Sequence, residues 1–457
     1  MEKREKLGSR LGFILLSAGC AIGVGNVWKF PYMVGQNGGG IFVLIYLFFL
    51  IAMGVPVMTM EFSLGRASQK SMTKLYDELE PKGSKWHFHG YAALIGNILL
   101  MMFYTVVCGW LLQFFVKMLG GDFTGVSNEV AVSQYSEMLA NPWMQMLFTG
   151  IVIVIGFLVC AFGVKNSLER VTKVMMIALL VIMVALAING FFMEGTLEGL
   201  KFYLVPNIDN VKEVGIFNVI TGAMSQAFFT LSLGIGSMAI FGSYLDKDRS
   251  LFGEAINVAV LDTLVEIIAG LIIFPACFTY NNGNVNAGPP LIFETLPNIF
   301  NNMPLGRLWG SLFFLFLTFA ALSTVFAVFE NIIACVQDLT KWSRKKICII
   351  GTFAMFVLAL PCILGFNVLS GFAPFGDGSV VLDLEDFIVS NLLLPIGSFV
   401  FVMFCTSKYG WGYDNFVNEA NQGKGLKVQK WMKVYFKYVL PVLLFAFIII
   451  SIVTFFL

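Results

Sequence analysis

The chain has 457 residues, of which 58% are hydrophobic and only 12% charged, and its net charge is +1. Soluble domains carry about 25% charged residues, and the mean hydropathy of this chain is +0.82. This composition excludes an ordinary water-soluble protein and favours a multi-pass membrane protein surrounded by the lipid bilayer. With no basic tail, nucleic acid is not expected as a partner.

Eleven apolar segments are long enough to cross a bilayer, which requires about 20 residues. In chain order, as spans 1 to 11, they are 9–34, 40–66, 88–119, 143–161, 167–190, 214–242, 252–280, 308–338, 346–366, 382–405 and 434–456. Lys and Arg concentrate in alternate loops, and the loops 120–142, 281–306 and 367–381 contain neither. Because positively charged loops stay in the cytoplasm, we expect a cytoplasmic N-terminus and a location in the plasma (inner) membrane.

Spans 1 and 6 are interrupted by glycine-rich sequences, GCAIGVGN at 19–26 and TLSLGIGS at 230–237. Glycines at such spacing also let helices pack closely in lipid, which is the simpler interpretation of either sequence alone. Two interruptions at corresponding positions favour instead two broken helices in an inverted-repeat transporter, with the binding site at the breaks.

The eight cysteines lie in or beside apolar segments and form no CxxC pair. They are therefore predicted to be small packing residues rather than zinc ligands or disulfide partners. The only histidines, His87 and His89, lie at the predicted cytoplasmic edge of span 3, where a solvated surface is commoner than a metal site. No nucleophile–base motif accompanies them, so an enzyme is not predicted.

The sequence resembles the neurotransmitter:sodium symporter family, in its bacterial amino-acid-transporting branch. The motifs that carry the resemblance are GNVWKFPY and NGGG in span 1, GVPVMTMEFSLGR in span 2, SQAFFTLSLGIGS in span 6, FAALSTVFAV in span 8 and LEDF in span 10. The resemblance implies an all-α membrane protein of 11 transmembrane helices, with a five-plus-five inverted repeat and broken helices 1 and 6. Residues 1–190 would hold the N-terminal tail and the first repeat, 191–407 the second repeat, and 408–457 a cytoplasmic loop and one extra helix.

The resemblance also implies two sodium sites built from oxygen ligands, as a hard cation requires. The first would use Ala21, Asn26, Thr230 and Asp262. The second would use Gly19, Ile22, Ala320, Ser323 and Thr324. Without the span 1 pattern, Ser323 and Thr324 would be interpreted as small residues that pack or hydrogen-bond between helices.

For the substrate, the resemblance implies backbone N–H groups of Val24 and Gly25, with the Tyr104 hydroxyl, at a carboxylate. The remaining substrate contacts would come from Ala21, Leu100, Phe229, Thr230, Ser232, Ile235, Thr324 and Val328. Ile235 replaces an aromatic residue frequent in the family, which favours hydrophobic or aromatic amino acids. Gly23 stands where monoamine transporters carry an aspartate, which favours a substrate with its own carboxylate.

Two carboxylates in span 7 are functional candidates because ionisable residues at membrane depth are costly. Chloride-dependent relatives have a neutral residue at the Glu266 position, so the fixed charge of Glu266 predicts chloride independence; an acid at a polar helix interface is the alternative. Asp262 replaces a common asparagine, and it would either strengthen sodium binding or couple transport to protons. Glu61 and Gln226 are predicted as partners of the broken backbone of span 6.

Two gates are implied as well. Lys29 and Asp386 resemble the outer gate pair, although the family usually has arginine at the Lys29 position, and Arg4 and Asp338 resemble the inner gate with Tyr244 nearby. The predicted function is a sodium-coupled symporter of hydrophobic or aromatic amino acids that works by alternating access, with sodium ions (two) as the coupling ions. We expect a monomer or weak oligomer. A channel and a non-transporting amino-acid sensor of the same fold are the alternatives.

Overall fold

The computed structural model describes residues 6–283, 285 and 289–456, and over these residues it contains helices but no β-strand. Nine helices in this part of the chain are long and apolar enough to cross a membrane. They are Gly40–Ser68, His87–Gly120, Pro142–Ala161, Glu169–Gly190, Leu251–Tyr280, Gly306–Thr340, Arg344–Gly365, Val381–Thr406 and Met432–Val453. These nine coincide closely with the predicted spans 2 to 5 and 7 to 11, because a long apolar run is a strong sequence signal for a membrane helix.

Both predicted helix breaks are confirmed. In span 1, the helices Arg10–Ala21 and Gly25–Gln36 meet at a bend of 58° and together are long enough for a tenth crossing. In span 6, Ile216–Thr230 and Ser237–Gly242 are separated by the non-helical residues 231–236. Each of these four helices alone is shorter than the about 20 residues that a crossing requires.

Several helices widen into a π-helical turn shortly before a proline. These turns are Gly25–Lys29, Leu50–Gly54, Leu291–Thr295, Phe387–Leu393 and Tyr435–Val439, and each ends two residues before Pro31, Pro56, Pro297, Pro395 or Pro441. Proline has no N–H to donate, and its ring collides with the carbonyl four residues earlier, so the preceding turn widens. A further π-helical turn, Val164–Leu168, precedes span 5 without a proline.

The first half of span 1 lies at the centre of the fold, where Arg10–Ala21 packs against spans 5, 7 and 8. Spans 3 and 8, the longest helices, pack against each other, and span 2 contacts both halves of span 6. At the crossing of spans 2 and 6, a Cβ on Gly65 would lie only 1.8 Å from the carbonyl oxygen of Ala239, so glycine is required there. This packing brings the two helix breaks towards the same buried region.

Shorter helices form the loops: Met72–Leu79, Asn128–Ala140, Thr196–Leu204, Ile208–Val214, Leu296–Asn302 and Tyr413–Ala420. The loop helix Tyr413–Ala420 is fastened to the end of span 2, where Arg66 is fully buried and its Nε lies 2.7 Å from Glu419 Oε1. Arg66 Nη1 also donates to the carbonyl of Arg249 at 2.6 Å. All eight cysteines are buried, as predicted for small packing residues.

Candidate functional site

The break in span 1 occupies residues 22–24 and leaves backbone groups that side chains satisfy. The Gly23 N–H donates to Asn26 Oδ1 at 2.9 Å, and the Val24 N–H donates to the Tyr104 hydroxyl at 3.1 Å. A Cβ on Gly23 would lie 2.5 Å from the Tyr104 hydroxyl oxygen, and one on Gly25 would lie 2.4 Å from the ring of Phe229. The glycines therefore allow side chains from spans 3 and 6 to reach the backbone directly.

The break in span 6 is held by side chains of spans 2 and 3. The Gly234 N–H donates to Glu61 Oε1 at 2.7 Å, which confirms Glu61 as a partner of the broken backbone. Asn97 Nδ2 donates to the Ile235 carbonyl at 2.8 Å. Gly234 has a φ of +100°, which only glycine adopts without strain, and here it is the turn residue between the two half-helices.

The predicted first sodium site is a buried polar cluster. Asn26 Nδ2 donates to Asp262 Oδ1 at 2.7 Å and to Thr230 Oγ1 at 2.9 Å. Thr230 Oγ1 lies 2.9 Å from Asp262 Oδ2, and these three side chains are at most 1% exposed. Ala21 ends the first half-helix, so its carbonyl belongs to the group of helix-terminal oxygens without an intrahelical partner.

Glu266 belongs to the same cluster. Its Oε1 lies 2.9 Å from Thr230 Oγ1 and accepts from Gln226 Nε2 at 3.1 Å, and its Oε2 accepts from the Tyr46 hydroxyl. The expectation that Gln226 supports broken backbone is wrong, because its amide donates to this carboxylate. Within the described residues, neither Asp262 nor Glu266 forms an ion pair with Lys, Arg or His, so the cluster holds two carboxylates and no cationic side chain.

The residues predicted for the second sodium site lie where span 1 meets span 8. Thr324 Oγ1 lies 3.3 Å from the Gly19 carbonyl oxygen, and Ser323 Oγ donates to the Ala320 carbonyl at 2.8 Å. A Cβ on Gly19 would lie 3.2 Å from Ser323 Cβ. Ile22 is fully buried and follows the first half-helix directly.

The residues predicted to contact substrate surround both breaks and are mostly buried. Leu100, Tyr104, Ile235 and Val328 are at most 8% exposed, and Phe229 is half-buried. The Ser232 hydroxyl donates to the Cys20 carbonyl at 3.2 Å and thereby joins the two breaks.

The predicted outer gate pair is not closed as an ion pair in this structure. Lys29 Nζ lies 3.8 Å from the centre of the Phe229 ring. Asp386 Oδ1 accepts from Ser390 Oγ at 2.6 Å, and among the described residues no ion pair joins Asp386 to Lys29. The lysine ammonium rests on an aromatic face, and it lacks the planar fork with which the usual arginine would pair with a carboxylate through two hydrogen bonds.

The predicted inner gate is described in part, because Arg4 lies outside the described residues. Asp338 Oδ2 accepts from the Ser71 N–H at 2.9 Å. The Tyr244 hydroxyl donates at 2.6 Å to Glu330 Oε1, which also accepts from Arg344 Nη1 at 3.1 Å. Sequence reasoning missed Glu330, although a fully buried carboxylate inside an apolar span is itself a signal.

The two histidines have separate partners. His89 Nδ1 lies 2.6 Å from the Tyr76 hydroxyl and the residue is half-buried, so the expectation of a solvated surface is wrong for it. His87 Nδ1 lies 2.7 Å from Glu80 Oε1. The two rings therefore do not converge on a shared metal position.

The chain is similar to known sodium-dependent transporters over most of its length. The model of the Sodium:neurotransmitter symporter family matches residues 4–141 and 136–456. The chain is 34% identical over 407 residues to the uncharacterised sodium-dependent transporter YhdH of Bacillus subtilis (strain 168), covering 89% of this chain and 88% of the relative. It is 25% identical over 503 residues to the rat (Rattus norvegicus) sodium- and chloride-dependent taurine transporter, covering 99% of this chain and 78% of the relative.

Among solved structures, the chain is similar to the crystal structure of MhsT in complex with L-phenylalanine. The TM-score is 0.87 at 34% sequence identity, and the match covers 98% of this chain and 99% of that one. These relatives are transporters rather than enzymes. The family match over nearly the whole length, with both broken helices and the buried polar cluster between them, leads to one conclusion: the chain belongs to the sodium:neurotransmitter symporter family.

Proposed function

We propose that this protein is a chloride-independent, sodium-coupled symporter of hydrophobic and aromatic amino acids that works by alternating access. The observation that carries the proposal is the buried cluster of Asn26, Thr230, Asp262 and Glu266 beside the two helix breaks. Thr230 has one hydroxyl proton, yet its oxygen lies 2.9 Å from a carboxylate oxygen of Asp262 and of Glu266. Buried negative charge that lacks a cationic partner is strongly unfavourable, so the cluster is suited to receive a cation.

Sodium fits the ligand set. The available atoms are carboxylate, hydroxyl, amide and carbonyl oxygens, the ligands that hard cations prefer. The first Na⁺ would bind between the Ala21 carbonyl and the side chains of Asn26, Thr230 and Asp262. Asn26 directs its Nδ2 into the cluster and its Oδ1 to the Gly23 N–H, so its amide would have to turn to ligate the ion. The second would bind where the Gly19, Ile22 and Ala320 carbonyls face Ser323 and Thr324. Asp262 could also bind a proton, which would then be a further coupled ion. A change of the pH inside the proteoliposomes during uptake would reveal such coupling.

A zwitterionic amino acid fits the charges at the two breaks. Half-helix N-termini attract a carboxylate, and half-helix C-termini expose carbonyls to an ammonium group. The N–H groups of Val24 and Gly25 would bind the carboxylate beside Tyr104. The amino group would meet the carbonyls of Ala21, Phe229 and Thr230 and the hydroxyl of Ser232.

The walls available to the substrate side chain are apolar, from Leu100, Ile235 and Val328, with the rings of Tyr104 and Phe229. No carboxylate stands at Gly23, so the substrate must supply its own, which favours an amino acid over an amine. The similar protein MhsT was crystallised with L-phenylalanine, which supports a hydrophobic or aromatic side chain.

Chloride independence rests on Glu266. This carboxylate accepts from Gln226 and from Tyr46, donors that could otherwise bind an anion. A covalently fixed negative charge in that position makes a bound chloride unnecessary and electrostatically unfavourable.

The proposal includes the topology. With span 6 counted as one crossing, the chain would cross the plasma (inner) membrane eleven times, with its N-terminus in the cytoplasm. The protein would be a monomer or weak oligomer. Residues 1–190 and 191–407 would be the inverted repeats, and 408–457 would add the cytoplasmic loop and the eleventh helix. Lys29 with Asp386 would close the outer side, and Arg4 with Asp338 and Tyr244 the inner side.

Uptake by purified protein in proteoliposomes tests the function. We expect an inward Na⁺ gradient to drive accumulation of labelled L-phenylalanine, and the twenty amino acids as competitors to rank hydrophobic ones first. Asn26→Ala should abolish this uptake, whereas Thr318→Val, which removes only a buried hydroxyl bonded to the carbonyl of Phe314, should not. Binding without counterflow would support a sensor instead, and substrate-independent unitary currents would support a channel.

A further inference from the structure

Span 3 holds the broken backbone of span 6 through a buried asparagine. Asn97 Nδ2 donates to the Ile235 carbonyl at 2.8 Å and to the carbonyl of Ala93, one turn back in its own helix, at 2.7 Å. The residue is 1% exposed. A carbonyl in a non-helical segment at membrane depth needs such a partner, and Asn97 provides it for the residue predicted to contact the substrate side chain.

A second asparagine completes the arrangement from span 8. Asn331 Nδ2 donates to Asn97 Oδ1 at 3.2 Å and lies 3.5 Å from the Ile235 carbonyl oxygen. The Ser237 hydroxyl, at the start of the second half-helix of span 6, donates to Asn97 Oδ1 at 3.3 Å. The donors and the acceptor oxygen of the Asn97 amide are therefore all engaged, so its orientation is fixed.

Asn97 and Tyr104 lie two helical turns apart in span 3, and each side chain holds the backbone of one helix break. Tyr104 accepts from the Val24 N–H in the break of span 1, and Asn97 donates to Ile235 in the break of span 6. At 1.5 Å per residue, the two anchors lie about 10 Å apart along the helix axis. Span 3 thus fixes the distance between the two breaks.

The Ile235 side chain rests on the same helix. A Cβ on Gly96 would lie 3.1 Å from Ile235 Cγ2, so the isoleucine packs against the glycine. Leu100 and Tyr104 follow Gly96 at intervals of four residues and share its helix face. Holding the Ile235 peptide therefore also holds one wall of the proposed substrate pocket against this face.

We propose that Asn97, together with Asn331, is a positioning residue for amino-acid selectivity. The two amides fix the Ile235 peptide, and the fixed isoleucine defines the space left for the substrate side chain. Neither asparagine touches the substrate in this scheme. The inference rests on the proposed function, because it assigns a role within the amino-acid site.

Competition binding in Na⁺ tests the proposal with purified full-length protein. Tritiated L-phenylalanine is displaced by unlabelled L-phenylalanine or L-alanine, and the ratio of the two inhibition constants is the readout. We expect Asn97→Ala and Asn331→Ala each to reduce the preference for phenylalanine about tenfold, which corresponds to about 1.4 kcal/mol. The ratio does not depend on how much protein is folded, so a purely structural role would leave it unchanged.

Thr105→Val is the matched control, because Thr105 is buried in the same helix and its hydroxyl donates only within that helix, to the Met101 carbonyl at 2.8 Å. The double variant should change the ratio no more than either single variant, since both residues act on one peptide. An unchanged ratio in Asn97→Ala, or in Asn331→Ala if the former does not fold, would overturn this inference and leave the proposed function in place. Failure of the wild type to bind any amino acid in Na⁺ would overturn the proposed function with it.

Discussion

Replacing Thr230 by valine is the sharpest single perturbation of the proposed first sodium site. The Thr230 hydroxyl oxygen lies 2.9 Å from Asn26 Nδ2, from Asp262 Oδ2 and from Glu266 Oε1. Valine nearly keeps the side-chain shape but removes all three contacts. The backbone carbonyl of residue 230 remains, so the change isolates the hydroxyl.

The magnitude follows from the charges involved. The lost oxygen is a proposed Na⁺ ligand, and a hydrogen bond to a charged group, the nearest analogue of that contact, contributes about 1.5–3 kcal/mol. The half-saturating Na⁺ concentration should therefore rise about ten- to a hundredfold. Thr230→Ser keeps the hydroxyl and should stay near the wild-type value.

The assay is a Na⁺ titration of tritiated L-phenylalanine binding, with choline replacing Na⁺ at constant ionic strength. Thr318→Val serves as control, since that hydroxyl lies in span 8 and donates to Phe314 of its own helix at 2.7 Å. A folded Thr230→Val protein with an unchanged Na⁺ midpoint would refute the assignment of this cluster as a sodium site.

Three further outcomes are expected. Thr324→Ala should abolish Na⁺-dependent uptake in proteoliposomes without lowering the melting temperature appreciably, and normal uptake would count against the second sodium site. Replacing chloride by gluconate should leave uptake unchanged, whereas a large loss would contradict the role given to Glu266. Gly96→Ala should press on Ile235, narrow the pocket and reduce the phenylalanine preference in competition binding about five- to tenfold; an unaltered preference would show that Ile235 does not border the substrate.

The spans and both breaks could be predicted from sequence because their causes are local. A long apolar run is a membrane helix whatever surrounds it, and glycines next to polar residues mark where such a helix fails. The cluster of Asn26, Thr230 and Asp262 was also anticipated, but from the family resemblance rather than from spacing. Its members come from three different spans, and no periodicity connects them.

The partners of individual polar side chains were harder to predict. Gln226 precedes Thr230 by four residues and so shares its helix face, yet only the packing of span 7 against that face reveals Glu266 as its partner. Asn97 gave no sequence signal, because its role depends on a carbonyl 138 residues further along the chain. Glu330 differs, because a carboxylate within the apolar sequence of span 8 is a signal that the sequence itself contains.

The contact between Lys29 and Phe229 bears on the energetics of the proposed outer gate. A cation over an aromatic ring is worth about 0.5–2 kcal/mol. An ion pair at the protein surface is worth about 0–1 kcal/mol, and a pair of the half-buried Lys29 and Asp386 would lie near the upper end of that range. In the proposed outer gate, an ammonium group that exchanged the ring for the carboxylate of Asp386 would move between partners of comparable strength. Its two positions would be populated within about one or two orders of magnitude of each other, so the binding of a single ion or substrate molecule could decide between them.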